Sequence, residues 1–176
     1  MSRRLPFSGR YTVQLDAKRR AILPAALRKL AEKELEEKGD PPGEFYLTYY
    51  GPGRLHLYTS VGFQRQLKRM RRNVNRFEND EDYMEAKDVY DAFLHNSVNL
   101  KIGEQGRLLI PPELFDQSGF NEGESVYFVG SDEVIEIWKP SRYDEHFERM
   151  RSDYKRTETV MRNLTRRLEE EDDEDD

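Results

Sequence analysis

Gly9–Leu30 reads GRYTVQLDAKRRAILPAALRKL, and Asn96–Gln117 reads NSVNLKIGEQGRLLIPPELFDQ. Laid over one another, Arg20 falls on Arg107, Leu15 on Ile102, Ile22 on Leu109, Leu23 on Ile110, Pro24 on Pro111 and Leu27 on Leu114. The likeness continues downstream. Phe45–Arg72 recurs as Val126–Ser152 with one residue fewer in the intervening turn, so that Tyr46 matches Tyr127 and Tyr58 matches Trp138. The run Leu67–Arg71 likewise matches Phe147–Arg151. Self-similarity at a fixed spacing means that one supersecondary unit is used twice, and it governs the fold.

Each copy reads as strand, polar turn, short strand, helix and hairpin. The first strands are expected over Tyr11–Leu15 and Val98–Ile102, the second over Arg20–Leu23 and Arg107–Ile110. Both second strands run into Pro, which suits a helix start because its missing N–H is not needed there. Leu27, Leu30, Ala31 and Leu35 then follow at helical spacing. Asp40-Pro-Pro-Gly and Asn121-Glu-Gly break the chain, and Gly51-Pro52-Gly53 and Ser131-Asp132 are short enough to be hairpin turns. Ser60 and Ser141 are candidate N-caps for the helix that closes each copy. Two half-sized units, each too small to bury much alone, predict an α+β fold with a mostly β core, built as an intramolecular pseudo-dimer.

Two further segments are helical by pattern. Asp80–His95 puts Tyr83, Ala86, Tyr90, Phe93 and Leu94 on one face and is expected to be a packed connecting helix. Tyr143, Phe147, Met150, Tyr154, Thr157, Met161, Leu164 and Leu168 follow in steps of four and three, the seam of a long C-terminal helix. That seam suits packing on the protein's own body or self-association. The expected divisions are thus residues 7–60, 61–95, 96–140, 141–168 and an acidic end at 169–176.

The formal net charge of −6 conceals the distribution. The last eight residues, EEEDDEDD, hold −8, which leaves residues 1–168 at +2. Residues 1–30 carry eight Lys or Arg against Asp16 alone, a charge of +7. The body is therefore no poor match for a polyanion, and the run of eight acids is expected to be disordered by self-repulsion. The 176 residues contain no cysteine, which removes disulfides, thiolate nucleophiles and Cys-based zinc sites. No stretch approaches 18 consecutive apolar residues, and MSRRLPFSGRY lacks the apolar centre of a signal peptide. A cytoplasmic protein without membrane contact is expected.

At Leu15-Asp-Ala-Lys-Arg-Arg-Ala-Ile-Leu-Pro24 and Ile102-Gly-Glu-Gln-Gly-Arg-Leu-Leu-Ile-Pro111 the chain resembles the MraZ family, bacterial DNA-binding proteins with two AbrB-like swapped-hairpin domains in one chain. The shared pattern is an Asp-x-x-x-Arg turn in each domain, and the resemblance covers roughly residues 7–155. It implies a transcriptional regulator, expected to be a repressor, that binds repeated boxes upstream of its own cell-division and cell-wall operon. It also implies a nucleoid-associated, ring-like homo-oligomer without cofactor or small-molecule substrate. Carried over, the first motif supplies Asp16, Lys18 and Arg20, with Arg28 four residues after Pro24, and the second supplies Arg107. Arg19 stands where the family usually has Gly, and Gly103 stands where it has Asp, with Glu104 next door.

On physical grounds, Arg on a turn grips a phosphate, or guanine O6 and N7, with two donors. A neighbouring Asp holds the guanidinium in one rotamer. The plain alternative is an Asp16–Arg20 ion pair that only stabilises its turn. Phosphate neutralisation favours the +7 segment, including Arg10 and Arg19, and predicts that the first copy dominates. Phe63–Phe77 is a basic run that either contacts phosphate or pairs with Glu78, Asp80, Glu81 and Asp82. Catalysis has little support: His56, His95 and His146 lack metal-ligand spacing, and neither a phosphate-cradling loop nor a GxSxG turn is present. Two other readings stay open, an AbrB-type antitoxin and an assembly module that binds no DNA.

Overall fold

A computed structural model describes residues 5–153 and 156–164. Residues up to Pro140 form one compact unit, and the chain from Ser141 onward forms a second. In the first unit β1 (Arg10–Gln14) and β2 (Arg20–Ile22) lead into α1 (Ala25–Lys38), and β3 (Glu44–Gly51) and β4 (Arg54–Thr59) form a hairpin. Helices α2 (Ser60–Val74) and α3 (Asp80–His95) follow. The second copy supplies β5 (Ser97–Lys101), β6 (Arg107–Leu109), α4 (Pro112–Ser118), β7 (Ser125–Ser131) and β8 (Val134–Trp138). The fold is mixed α+β with antiparallel sheets, as expected.

The two copies exchange strands. The six-stranded sheet has the order β1-β7-β8-β4-β3-β5, so each copy's first strand lies against the other copy's hairpin. Thr12 pairs with Tyr127 in one half, and the matching residues Asn99 and Tyr46 pair in the other. Where the halves meet, Leu55 faces Ile137, Leu57 faces Ile135, and His56 faces Glu136. The last two are repeat equivalents of each other, so an approximate two-fold axis passes between them. β2 and β6 form a separate two-stranded ribbon whose central pair, Ala21 and Leu108, lies on the same axis.

Alternation along the strands makes the core. Phe45, Leu47, Leu55, Leu57, Val126, Phe128, Ile135 and Ile137 join Leu15, Leu23, Leu27, Ile110 and Leu114 in one buried cluster drawn from both copies. Full burial of such side chains contributes roughly 1.5–3 kcal/mol each. On the other sheet face, Phe63 of α2 stacks on Tyr46 with ring centroids 4.0 Å apart and meets Phe93 of α3 at 5.7 Å. The face expected to pack on α3 is the half-buried one, Tyr83, Ala86, Tyr90, Phe93 and Leu94 among it.

Several local expectations are corrected. β2 ends at Ile22 and β6 at Leu109, one residue short of expectation, although the Leu23 N–H still donates to Gly106 O (2.8 Å) and the Ile110 N–H to Arg19 O (3.0 Å) in the same register. The α2 cap is Thr59, whose Oγ1 accepts from the Gly62 N–H at 2.9 Å. Ser60 is the first helical residue, and its hydroxyl donates to Asp40 instead (2.6 Å). Helix α5 (Pro140–Ser152) already includes Ser141. Residues 156–164 are helical as well, and Asp153 accepts from the N–H groups of Arg156 on its side chain (3.3 Å) and Thr157 on its carbonyl (3.0 Å). Of the expected seam, Tyr154, Leu168 and the side chain of Met150 lie outside the described residues, as does the acidic end at 169–176.

Candidate nucleic-acid interface

The turn between β1 and β2 is organised by one carboxylate. Asp16 Oδ1 accepts from the backbone N–H groups of Lys18 (2.8 Å) and Arg20 (3.0 Å), and Oδ2 accepts from Arg20 Nε (2.7 Å). The Asp16 N–H donates in turn to Arg20 O (2.9 Å). Three of these four bonds fix Arg20 at both backbone and side chain while leaving its guanidinium half-exposed. The Arg20 backbone N–H, aided by the Lys18 N–H and by the Arg20 side-chain bond and charge, outweighs desolvation and holds the Asp16 carboxyl below the usual carboxylate range. That arrangement restricts the rotamers of Arg20 before any ligand arrives.

The turn between β5 and β6 has the same backbone and different side chains. Gly106 donates to Gly103 O (2.8 Å), as Arg19 donates to Asp16 O (3.1 Å). Gly106 has φ 71° and Arg19 φ 59°, so the residue before the key Arg is left-handed in both turns. Glycine adopts that conformation without penalty, whereas Arg19 bears a cost. Arg19 also leans on the second copy, with Nη1 3.8 Å from Glu122 Oε1. With Gly103 in place of the acid, Arg107 is exposed, and no carboxylate among the described residues lies within ion-pair distance of it. Glu104 does not take over the missing contact.

Arg28 reaches the second turn from the first copy. Its Nη1 stands 2.8 Å from where a Cβ on Gly106 would be, and its Nε lies 3.5 Å from Glu32 Oε1 one helical turn on. The Lys18 ammonium has no ionic partner among the described residues. Arg10 lies at the far end of β1, six residues before Asp16 or about 20 Å along an extended strand, with its guanidinium 4.9 Å from the Tyr127 ring. The structure therefore gathers Asp16, Lys18, Arg19, Arg20, Arg28 and Arg107 around the ribbon and leaves Arg10 apart. The Arg28 contact crosses 78 residues and had no local signal.

The basic helix α2 is largely engaged elsewhere. Arg65 bonds Glu34 (3.0 Å) and Glu133 (3.1 Å), Arg69 bonds Glu133, and Arg71 donates to the Tyr90 hydroxyl (3.3 Å). These acids come from α1 and the β7–β8 turn, not from the Glu78–Asp82 run that the sequence suggested. Among the described residues no group of His, Asp or Glu is placed to hold a metal ion, and no helix is long and apolar enough to cross a membrane.

Two strand-exchanged repeats thus carry matching cationic turns on one ribbon, related by an approximate two-fold axis. A family model described as "MraZ protein, putative antitoxin-like" matches residues 93–167, which span the second copy. Both copies are covered by proteins named Transcriptional regulator MraZ. That of Lachnoclostridium phytofermentans is 28% identical over 80% of this chain and 86% of its own length. Those of Mycoplasma mycoides and Rickettsia akari are each 26% identical, over 78% and 80% of this chain and 90% and 85% of their own lengths. Over most of its length the chain is thus similar to transcriptional regulators named MraZ, the family that the paired turns resemble. The solution structure of PHS018 from Pyrococcus horikoshii covers 77% of this chain and 98% of that chain at 17% identity, with a TM-score of 0.31 too low to equate the folds.

Proposed function

We propose that this protein is a sequence-specific DNA-binding transcriptional regulator that represses its own promoter by gripping repeated boxes through its Arg-bearing turns. The observation that carries the reading is the Asp16–Arg20 turn, whose backbone recurs around Arg107 across an approximate two-fold axis. Duplex DNA has two-fold symmetry of its own, so a symmetric pair of cationic turns meets it in matching orientation on both halves. In this reading the strand exchange is that of an AbrB-like swapped-hairpin pseudo-dimer. Arg20 reads base edges, while Lys18, Arg19, Arg28 and Arg107 neutralise phosphates and Arg10 reaches flanking phosphates. Several copies in a ring then engage successive boxes, placing the protein in the cytoplasm on the nucleoid.

A gel-shift with the duplex immediately upstream of its own gene tests this. A shift that weakens steeply with salt is expected, since phosphate contacts release counterions. No shift at low salt overturns the proposal in favour of an assembly module. The antitoxin reading is favoured by the wording of the matching family description. It requires a toxin gene beside this one, where the regulator reading requires cell-wall and division genes.

A further inference from the structure

We infer that Ile22 and Leu109 are base-reading residues that contact thymine methyl groups in the DNA major groove. The inference rests on the reading of the β2–β6 ribbon as the DNA face and adds to it a recognition chemistry that the arginines do not supply.

The ribbon alternates strictly. Ala21 and Leu108 point into the core at 2% and 0% exposure, and their neighbours therefore point out. Those neighbours are Arg20 and Ile22 on one strand and Arg107 and Leu109 on the other. Arg20 lies opposite Leu109 and Arg107 opposite Ile22, so the outer face is a checkerboard of two guanidinium side chains and two large aliphatic ones. Ile22 is 49% exposed and Leu109 54% exposed. A lone exposed aliphatic residue needs no explanation. Here two repeat equivalents sit at matching positions around a two-fold axis, each beside a cation.

That pattern suits one occupant. A dry contact with a second copy of the chain would bury two guanidinium groups along with the aliphatic ones and would strip their water without supplying acids. The surrounding Lys18, Arg19 and Arg28 would make such a contact more repulsive still. Phosphates reward the same cations. The major groove, about 12 Å wide, admits a two-stranded ribbon and presents, side by side, acceptor edges for Arg and the one apolar group of the duplex, the thymine C5-methyl. The checkerboard is complementary to both. The axis through Ala21 and Leu108 then sets one aliphatic–Arg pair on each side of the groove's own dyad.

The upstream duplex, prepared with thymidine or with deoxyuridine in its place, is titrated by fluorescence anisotropy with the full-length protein and with the Ile22→Ser/Leu109→Ser variant. Both substituted side chains are exposed, and a thermal melt checks that the variant keeps its fold. Loss of two methyl contacts is expected to weaken the wild-type protein about fifteenfold on the deoxyuridine duplex, about fourfold for each methyl. The variant should bind the thymidine duplex about as weakly and no longer distinguish the two. Equal wild-type binding to both duplexes overturns this inference and leaves the DNA reading intact. Failure to bind either duplex at low salt overturns the DNA reading and this inference with it. A variant that changes its oligomeric mass in light scattering but still prefers thymidine assigns the aliphatic pair to a second copy, and also overturns the inference.

Discussion

Arg20 and Arg107 occupy the same place in two related turns, yet among the described residues only Arg20 has an acid beside it. Asp16 holds the Nε of Arg20 at 2.7 Å and its backbone N–H at 3.0 Å, whereas the second turn has Gly103 at the corresponding position. A guanidinium held in one rotamer loses less entropy when it binds a particular base edge, while one held by nothing serves as a movable charge. Arg20→Ala should therefore cost about 1–3 kcal/mol of affinity for the upstream duplex and relax its discrimination against unrelated DNA. Arg107→Ala should weaken both duplexes alike and lower the salt slope by about one. Anisotropy titrations across a salt series separate these outcomes, and equal losses with equal slopes would refute the division between the copies. Asp16 titrates below the ordinary carboxylate range, so its hold on Arg20 is complete at neutral pH and fails only as pH falls through that lowered value.

At the scale of elements, α2 shows how a charge run acquires its meaning from distant partners. Arg65 bridges buried Glu34, whose other oxygen accepts from the Thr59 hydroxyl (2.6 Å), and Glu133 on the opposite copy. Arg65→Ala would leave Glu34 buried without a counterion and should cost about 2 kcal/mol, reduced from the full buried-pair value because Arg65 is partly exposed. Urea unfolding measures this, and DNA affinity per folded molecule should not change. The β4–β8 pair carries a second test. Burial first, and the Arg54 charge second, depress His56 to about 3, so its 3.7 Å approach to Glu136 is not an ion pair at neutral pH. The unfolded His, with an ordinary value near 6.5, takes up a proton that the folded one refuses. Stability is thus full above that value and declines as pH falls toward about 3, by about 2 kcal/mol at pH 5. His56→Gln should flatten this part of the urea-stability curve between pH 7 and pH 5. Strands and helices were legible because alternation and helical spacing are local. The choice of Thr59 over Ser60 as cap was not, since both can cap and Asp40, 20 residues away, takes the Ser60 hydroxyl. The repeat likewise revealed the hairpins but not which copy's first strand joins each, because an intact repeat is compatible with pairing inside or across copies.

For the molecule as a whole, that exchange makes each half depend on the other, and the residues on the two-fold axis make the dependence specific. A first half pairing with itself would set Ala21 against Ala21 and His56 against His56. A second half doing so would set Leu108 against Leu108 and Glu136 against Glu136. The actual pairs are Ala21 with Leu108 and His56 with Glu136, a small side chain against a large one and a neutral ring against an acid. Glu136 is further satisfied by Arg54 of the first copy (2.6 Å) and by the Trp138 Nε1–H (2.7 Å). Self-pairing of the first half leaves a cavity of a kind that costs about 2–5 kcal/mol, and self-pairing of the second crowds two leucines and brings two buried carboxylates together. The halves have become complementary rather than interchangeable. Residues 1–95 and 96–176 expressed separately should give no folded monomer, since each lacks the strand that covers its hairpin edge. Mixed, they should assemble in equal numbers into a complex that melts above either half alone, measured by light scattering and circular dichroism. A folded monomer of residues 1–95, or mixed halves that sort into separate self-pairs, would show that the exchange of strands is not what holds the sheet together.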